Sequence, residues 1–254
     1  MIEEAFANGE SVMHRIDPRL RIVFATILSF VIALSYQFAA LIAALVFSVI
    51  LICMARLNFS KIVKKLVLLW YFILFIWLIL PLTFKGEPLF CFGPLTVTRP
   101  GIVVSMQITL KSNAILLSYI AMIITMNMAA FGQALGCLKV PQKFIHLFLL
   151  TYRYIFVIDQ EYQRLIRAAR IRGFCPGTNL HTYKTYAYIA GMLLVKASER
   201  AKRVHQAMLC RGFRGKFYSL SEFSIHYRDW AWSVFMSFAI IGLVYLEWAG
   251  KNGY

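Results

Sequence analysis

Residues 22–55 read IVFATILSFVIALSYQFAALIAALVFSVILICMA, and none of these 34 residues carries a charge. As one helix the run would extend roughly 51 Å, against a bilayer hydrocarbon core about 30 Å thick. That is too long for one perpendicular crossing and enough for two, so a tight hairpin is predicted at Ser35-Tyr36-Gln37. Outward from this run, charge-free stretches give a third span over 66–83 and a fourth over 112–131 with room to begin at Gly101. A fifth covers 230–248, with Trp230, Trp232 and Trp248 as interfacial anchors. Over 254 residues the chain is 60% hydrophobic and 15% charged, with a mean hydropathy of +0.68. A soluble fold of this size could not bury so much apolar surface. The predicted class is an all-α polytopic membrane helical bundle, carrying two long cytoplasmic helices described below. The opening MIEEAFANGE is acidic and has no apolar core before Arg15, so it does not read as a signal peptide.

Charge sets the orientation. Of 27 Lys and Arg, 23 fall on one side; Lys85, Arg99 and Lys251 fall on the other, and Lys111 lies within a span, from which it can snorkel to the cytoplasmic edge. The rich side is expected to be cytoplasmic, in a multi-pass protein of the cell's inner (cytoplasmic) membrane with its N-terminus inside. Three regions follow: a membrane bundle over 1–131, a cytoplasmic region over 132–229, and a C-terminal span and tail over 230–254. The net charge of +16 calls for no nucleic-acid partner, because positive-inside bias and attraction to anionic membrane lipid account for it.

Catalytic chemistry has no visible carrier. The five cysteines, at 53, 91, 137, 175 and 210, and the five histidines are dispersed without metal-ligand spacing. There is no P-loop, no G-x-S-x-G and no carboxylate pair within a span, so neither an enzyme nor a resident cofactor is expected.

The cytoplasmic region reads as two helices. One starts with Pro141 as first helical residue and runs to Arg172, where Gly173 offers a left-handed stop and Pro176 confirms the break. The other runs from about Lys184 to Arg211 and stops at Gly212. Residues 144–158 are apolar but too few for a span and include Arg153, so they are expected at the membrane surface or against the bundle. At the N-terminus Asp17 and Pro18 read as cap and first helical residue, which would leave Arg15, Arg19 and Arg21 at the lipid headgroups.

Both cytoplasmic helices end in the same words, RLIRAARIRGF at 164–174 and RVHQAMLCRGF at 203–213. Spacings of four put Arg164, Ala168 and Arg172 in one row, and Arg203, Ala207 and Arg211 in a matching row. Small Ala residues permit close approach, Gly173 and Gly212 turn the chain away, and a terminal guanidinium can pair a carboxylate in a bidentate way. A single Arg-Gly helix end is ordinary capping. Two matched ends point to a partner that also comes as a pair.

At these residues the chain resembles the transmembrane T-component of energy-coupling factor (ECF) transporters, the EcfT family, whose two coupling helices each end in Ala-Arg-Gly. HRIDPRLRI at 14–22 resembles the opening of its cobalt branch. Ile171 and Cys210 stand where that family usually has Ala. The resemblance implies an ABC-type importer in which two ATPase subunits bind ATP and Mg and dock at Arg172, Gly173, Arg211 and Gly212, with Ala168, Ala207, Arg164 and Arg203 beside them. A separate substrate-capture membrane subunit would bind cobalt or nickel ion, leaving no metal site in this chain. Two rival readings are a stand-alone secondary transporter, with Gln107, Lys111, Asn113 and Asn127 as its only polar cluster, and a basic membrane anchor for lipid or RNA.

Overall fold

The computed structural model describes residues 16–55, 57, 59–83, 88–92, 95–213 and 227–252. Its helices are α1 (Pro18–Leu34), α2 (Phe38–Ala55), α3 (Phe59–Thr83), α4 (Arg99–Tyr119), α5 (Met128–Cys137), α6 (Gln142–Ile171), α7 (Leu180–Cys210) and α8 (Tyr227–Asn252). Strands β1 (Pro88–Phe92) and β2 (Leu95–Thr98) pair as a small antiparallel hairpin between α3 and α4. Apart from connecting turns, the other described residues are helical, and the chain divides into two compact units. One holds α1 to α4 with α8; the other holds α5 to α7.

In the first unit α4 lies against α1, α2 and α3, and α8 closes on α1 and α2. Leu28, Ile32, Leu41, Leu51, Ile120, Met122 and Met236 fill the core, with Ala25, Ala44 and Ala114 letting the backbones approach. Among the described residues four helical segments are long and apolar enough to cross a membrane: Phe38–Ala55, Ile62–Thr83, Arg99–Ile124 and Tyr227–Gly250. Helix α1 is shorter, at 17 residues or about 26 Å. Helices α3 and α8 keep much of their apolar surface exposed, including Leu68, Tyr71, Phe72 and Phe238.

The break between α1 and α2 falls at Ser35–Gln37, where the charge-free run predicts it. Without water, each freed backbone group needs a protein partner. The Glu247 carboxylate of α8 accepts from the backbone N–H of Tyr36 at 2.9 Å and of Gln37 at 3.1 Å. From α4, Gln107 Nε2 donates to Tyr36 O and Lys111 Nζ to Ala33 O, both at 2.9 Å. Lys111 also sits 4.1 Å from the centre of the Tyr36 ring. It therefore reaches the turn end of the bundle, opposite the start of α1, rather than the edge expected from sequence; the last carbonyls of α1 attract the cation.

At the other end Asp17 caps α1 as predicted, accepting from Arg19 N–H at 2.9 Å, with Pro18 in the first turn. The Asp17 N–H donates to Asp229 Oδ1 of α8 at 2.9 Å, which ties the two helix starts together. Arg21 departs from expectation. It is 2% exposed rather than at the headgroups, and its Nη2 donates to Thr125 Oγ1. The cause is helical phase: Arg21 shares its face with Phe24, Ala25, Leu28 and Ile32, all buried. Arg15 lies outside the described residues. Likewise Trp230 and Trp248 are exposed, but Trp232 turns inward and packs on Phe235, so only two of the three tryptophans can anchor at an interface.

The fourth span begins at Arg99, beside the earlier start near Gly101 that the sequence left open rather than at Ser112, and ends at Ile124 instead of Phe131. Charge misleads at its start, because Lys111 is satisfied inside the bundle. At its end a π turn over Ile120–Ile124 runs into Thr125, held by Arg21, and α5 is a separate short helix.

Replacing Glu247 with Ala strands two backbone donors at the α1–α2 turn and should lower stability by about 1–3 kcal/mol. Glu247→Gln, which keeps one acceptor oxygen, should lose less. Thermal melts of the purified protein check this; an unchanged midpoint for the Ala variant contradicts the assignment.

Candidate functional site: two matched helix ends

The second unit is built on helix contacts. Helix α5 packs on α6 through two glycines: a Cβ on Gly132 would lie 2.6 Å from Leu149 Cδ2, and one on Gly136 3.4 Å from Ile145 Cδ1. The spacing G-x-x-x-G, 132–136, is a signal for this packing that sequence reading passed over. Pro141 precedes α6 as its N-cap instead of opening the helix, and α7 starts at Leu180, one turn before the expected Lys184. Asn179 leads that extra turn, its carbonyl accepting from the N–H of Thr182 and of Tyr183.

Helices α6 and α7 run antiparallel. Partners descend α7 as they ascend α6: His146 stacks on Phe213 with ring centres 5.7 Å apart, Glu161 meets Lys196, and Phe174 meets Tyr186 edge-on at 5.6 Å. Between them, the Lys196 hydrogen bond holds the Glu161 carboxyl below the usual carboxylate range. Desolvation opposes that shift, and the charges of Lys196, Arg164 and Arg200 reinforce it. A depressed carboxylate pKa stabilises the fold above the unfolded value and loses that contribution as pH falls through the folded one. The tie therefore persists through the ordinary carboxylate range.

The repeated words close both helices with one geometry. Arg172 is the C-cap of α6 and Arg211 that of α7, while Gly173 and Gly212 adopt φ of 85° and 76°. The Phe174 N–H donates to Ala169 O at 3.1 Å and the Gly173 N–H to Arg170 O at 3.0 Å. At the second end Phe213 donates to Met208 O at 3.0 Å and Gly212 to Leu209 O at 2.9 Å. These are two Schellman motifs, which require a residue in the left-handed region where Gly is least strained.

The phenylalanines brace the ends. Phe174, from the end of α6, is buried against Tyr186 of α7, and Phe213, from the end of α7, rests on His146 of α6. Each helix end is thereby fixed by the other helix. Sequence reasoning noted both Phe residues without assigning them this role.

Arg164, Ala168, Arg172 and Gly173 are all exposed, as are Arg203, Ala207, Arg211 and Gly212. The first Arg of each row is engaged within its own helix, Arg164 with Glu161 at 3.5 Å and Arg203 with Glu199 at 3.8 Å. Among the described residues the Arg172 and Arg211 side chains have no hydrogen-bond or ion-pair partner. The two rows do not come together. Phe213 marks the His146 end of α6, so the two guanidinium-bearing ends stand roughly 40 Å apart, the length of helix from 146 to 172. Ile171 and Cys210 are exposed beside them and take no part in the core.

No three His, Cys, Asp or Glu side chains among the described residues converge as a metal site.

A Cβ at position 173 or 212 would meet nothing within 4 Å, so Ala there is strained by backbone conformation alone. Gly173→Ala should cost about 1–2 kcal/mol, confined to the cap. The amides at 173 and 174 should exchange with solvent about 5–30-fold faster while mid-helix amides hold. Unchanged exchange at the cap would refute the left-handed assignment.

The chain matches the CbiQ family, described as cobalt transport protein, over residues 9–221. It is also similar to several proteins described as energy-coupling factor transporter transmembrane protein EcfT. That of Brevibacillus brevis is 28% identical over 221 residues, covering 83% of each chain. That of Bacillus subtilis is 27% identical, covering 97% of this chain and 95% of its own. The Macrococcus caseolyticus protein is 24% identical across 96% of this chain and 94% of its own. With a polytopic helical fold and a family match across most of its length, the chain belongs to the CbiQ family and is a transmembrane component of energy-coupling factor transporters.

Proposed function

We propose that this chain couples a pair of ATP-hydrolysing subunits to a substrate-capture membrane subunit, and that cobalt or nickel ion is the cargo. The observation that carries the reading is the pair of matched Arg-Gly helix ends, exposed and without an ionic partner among the described residues, at opposite ends of one antiparallel helix pair. Ends roughly 40 Å apart suit two separate grooves better than one. Each groove would receive Arg172 or Arg211 on a carboxylate, with Ala168 and Ala207 permitting close approach and Gly173 and Gly212 ending the helix. Arg164 and Arg203, held by their own Glu residues, would flank the contact. ATP and Mg would be bound by the partners, and this chain would hold no cofactor and catalyse no step. The cobalt assignment is supported by the family description.

Mechanically, the Phe braces and the Glu161–Lys196 tie make each end move with both helices. Closure of the ATPases would shift the two ends together, and the crossing would carry that shift to the capture subunit. The predominance of Lys and Arg on one side supports a cytoplasmic position for this region, with α1 as a fifth crossing.

Charge reversal separates docking from general basicity. Arg172→Glu or Arg211→Glu should cost about 3–5 kcal/mol of assembly, the penalty for stranding a buried partner charge. Glu at the exposed off-row positions Arg167 and Arg170 should cost about 1 kcal/mol or less. Co-purification of ATPases from membranes reads the difference, and equal small losses at all four positions would overturn the proposal.

A further inference from the structure

Between the first half of α6 and the second half of α7 lies an apolar cavity of about 460 Å³. Its walls include Leu150, Tyr154 and Ile158 on one helix and Ala197, Val204 and Met208 on the other. The cavity lies between two ties, Glu161–Lys196 and His146–Phe213, where α7 presents the small Ala197 and Ala201 to the gap. The Phe213–His146 stack bounds its far end, roughly 18 Å from Ile158 along α6. A second, polar cleft of about 210 Å³ is continuous with it through Ile158, Ala197 and Arg200.

Charge is unevenly distributed across this shape. Around the polar cleft stand Arg164, Lys196, Arg200 and Arg203, against the carboxylates of Glu161 and Glu199. Glu161 is shared by Lys196 and Arg164, and Glu199 pairs with Arg203. Arg200, half-buried where the two spaces meet, has no hydrogen-bond or ion-pair partner among the described residues. An apolar trough whose mouth carries Lys196, Arg200 and Arg203 beside Glu161 and Glu199, with Arg200 outside any ion pair among the described residues, is complementary to an apolar tail with an anionic head. A packed helix from another protein would cover the trough but leave that cation unmatched.

We propose that this cleft is a lipid site: one acyl chain of an anionic phospholipid occupies the trough between α6 and α7, and its phosphate is held by Arg200 beside Lys196 and Arg203. The site goes beyond the coupling role and does not depend on it. A chain lying between the two helices would add to their contact in the stretch between the Glu161–Lys196 tie and the His146–Phe213 contact.

The test uses the full complex in nanodiscs containing phosphatidylglycerol or phosphatidylcholine with the same photoreactive diazirine in the acyl chain. Label should appear on peptides 147–158 and 201–208, about fivefold more from the anionic probe. Arg200→Gln should bring the two probes level without abolishing label, whereas Val204→Trp, which fills the trough, should abolish it with either. Ala201→Leu, a milder filling, reduces label and serves if the Trp variant fails to insert. Equal labelling by both probes in the unaltered protein, label indifferent to filling, or cross-links only to a partner chain would each overturn the proposal. Co-purification of the ATPases, scored on the same samples, keeps this outcome separate from that of the coupling reading.

Discussion

Inside a bilayer a backbone N–H or C=O has no water to turn to, and most of this molecule is a response to that constraint. Helices satisfy their own interior groups, so the difficulty concentrates where helices end. At the α1–α2 turn the freed groups are met by Glu247, Gln107 and Lys111 from two other helices. Where α3 ends, Pro81 O is one of its last four carbonyls; Thr98 donates its hydroxyl to it, and Gly101 permits the approach, since a Cβ there would lie 2.8 Å from Pro81 Cα. Gln107 and Lys111, two of the polar side chains of α4, are thus accounted for by a helix end, while Ser105, Thr109 and Ser112 donate to carbonyls one turn back in their own helix.

The same constraint, solved differently, shapes the second unit. Helices α6 and α7 end in backbone-only Schellman caps, so no side chain is consumed in closing them. Among the described residues Arg172 and Arg211 keep no ionic partner at the two tips, and the Phe residues that follow brace the neighbouring helix. A cap using the arginine itself would have withdrawn it from any partner. Two ends built alike, joined through both helices and far apart, suit the two-contact lever that the proposed coupling role requires.

Much of this was legible in the sequence because it rests on local rules. The charge-free run fixed the hairpin at Ser35–Gln37, Asp17-Pro18 announced the cap of α1, and Gly173 and Gly212 marked two helix ends. What escaped depends on pairings between distant residues. Arg21 reads as an interfacial cation until its face is found to be the core stripe and Thr125 lies 104 residues away. Lys111 reads as the limit of a span until α1 supplies a carbonyl. The β1–β2 hairpin, a short pair of strands in a helical chain, gave too little periodicity to stand out. For the candidate site, the Arg, Ala and Gly rows were visible as words, whereas the roles of Phe174 and Phe213 required knowing that α6 and α7 run antiparallel.

In the proposed mechanism one chain engages two ATPase subunits through its two helix ends. Placing a photoreactive amino acid at 172, at 211 and at both, then irradiating intact cells, tests it most directly. The account predicts that each single position cross-links one ATPase and that the double variant yields a species of one chain bound to two. Cross-links from both positions to lipid alone, or a double variant that never carries a second ATPase, would contradict it.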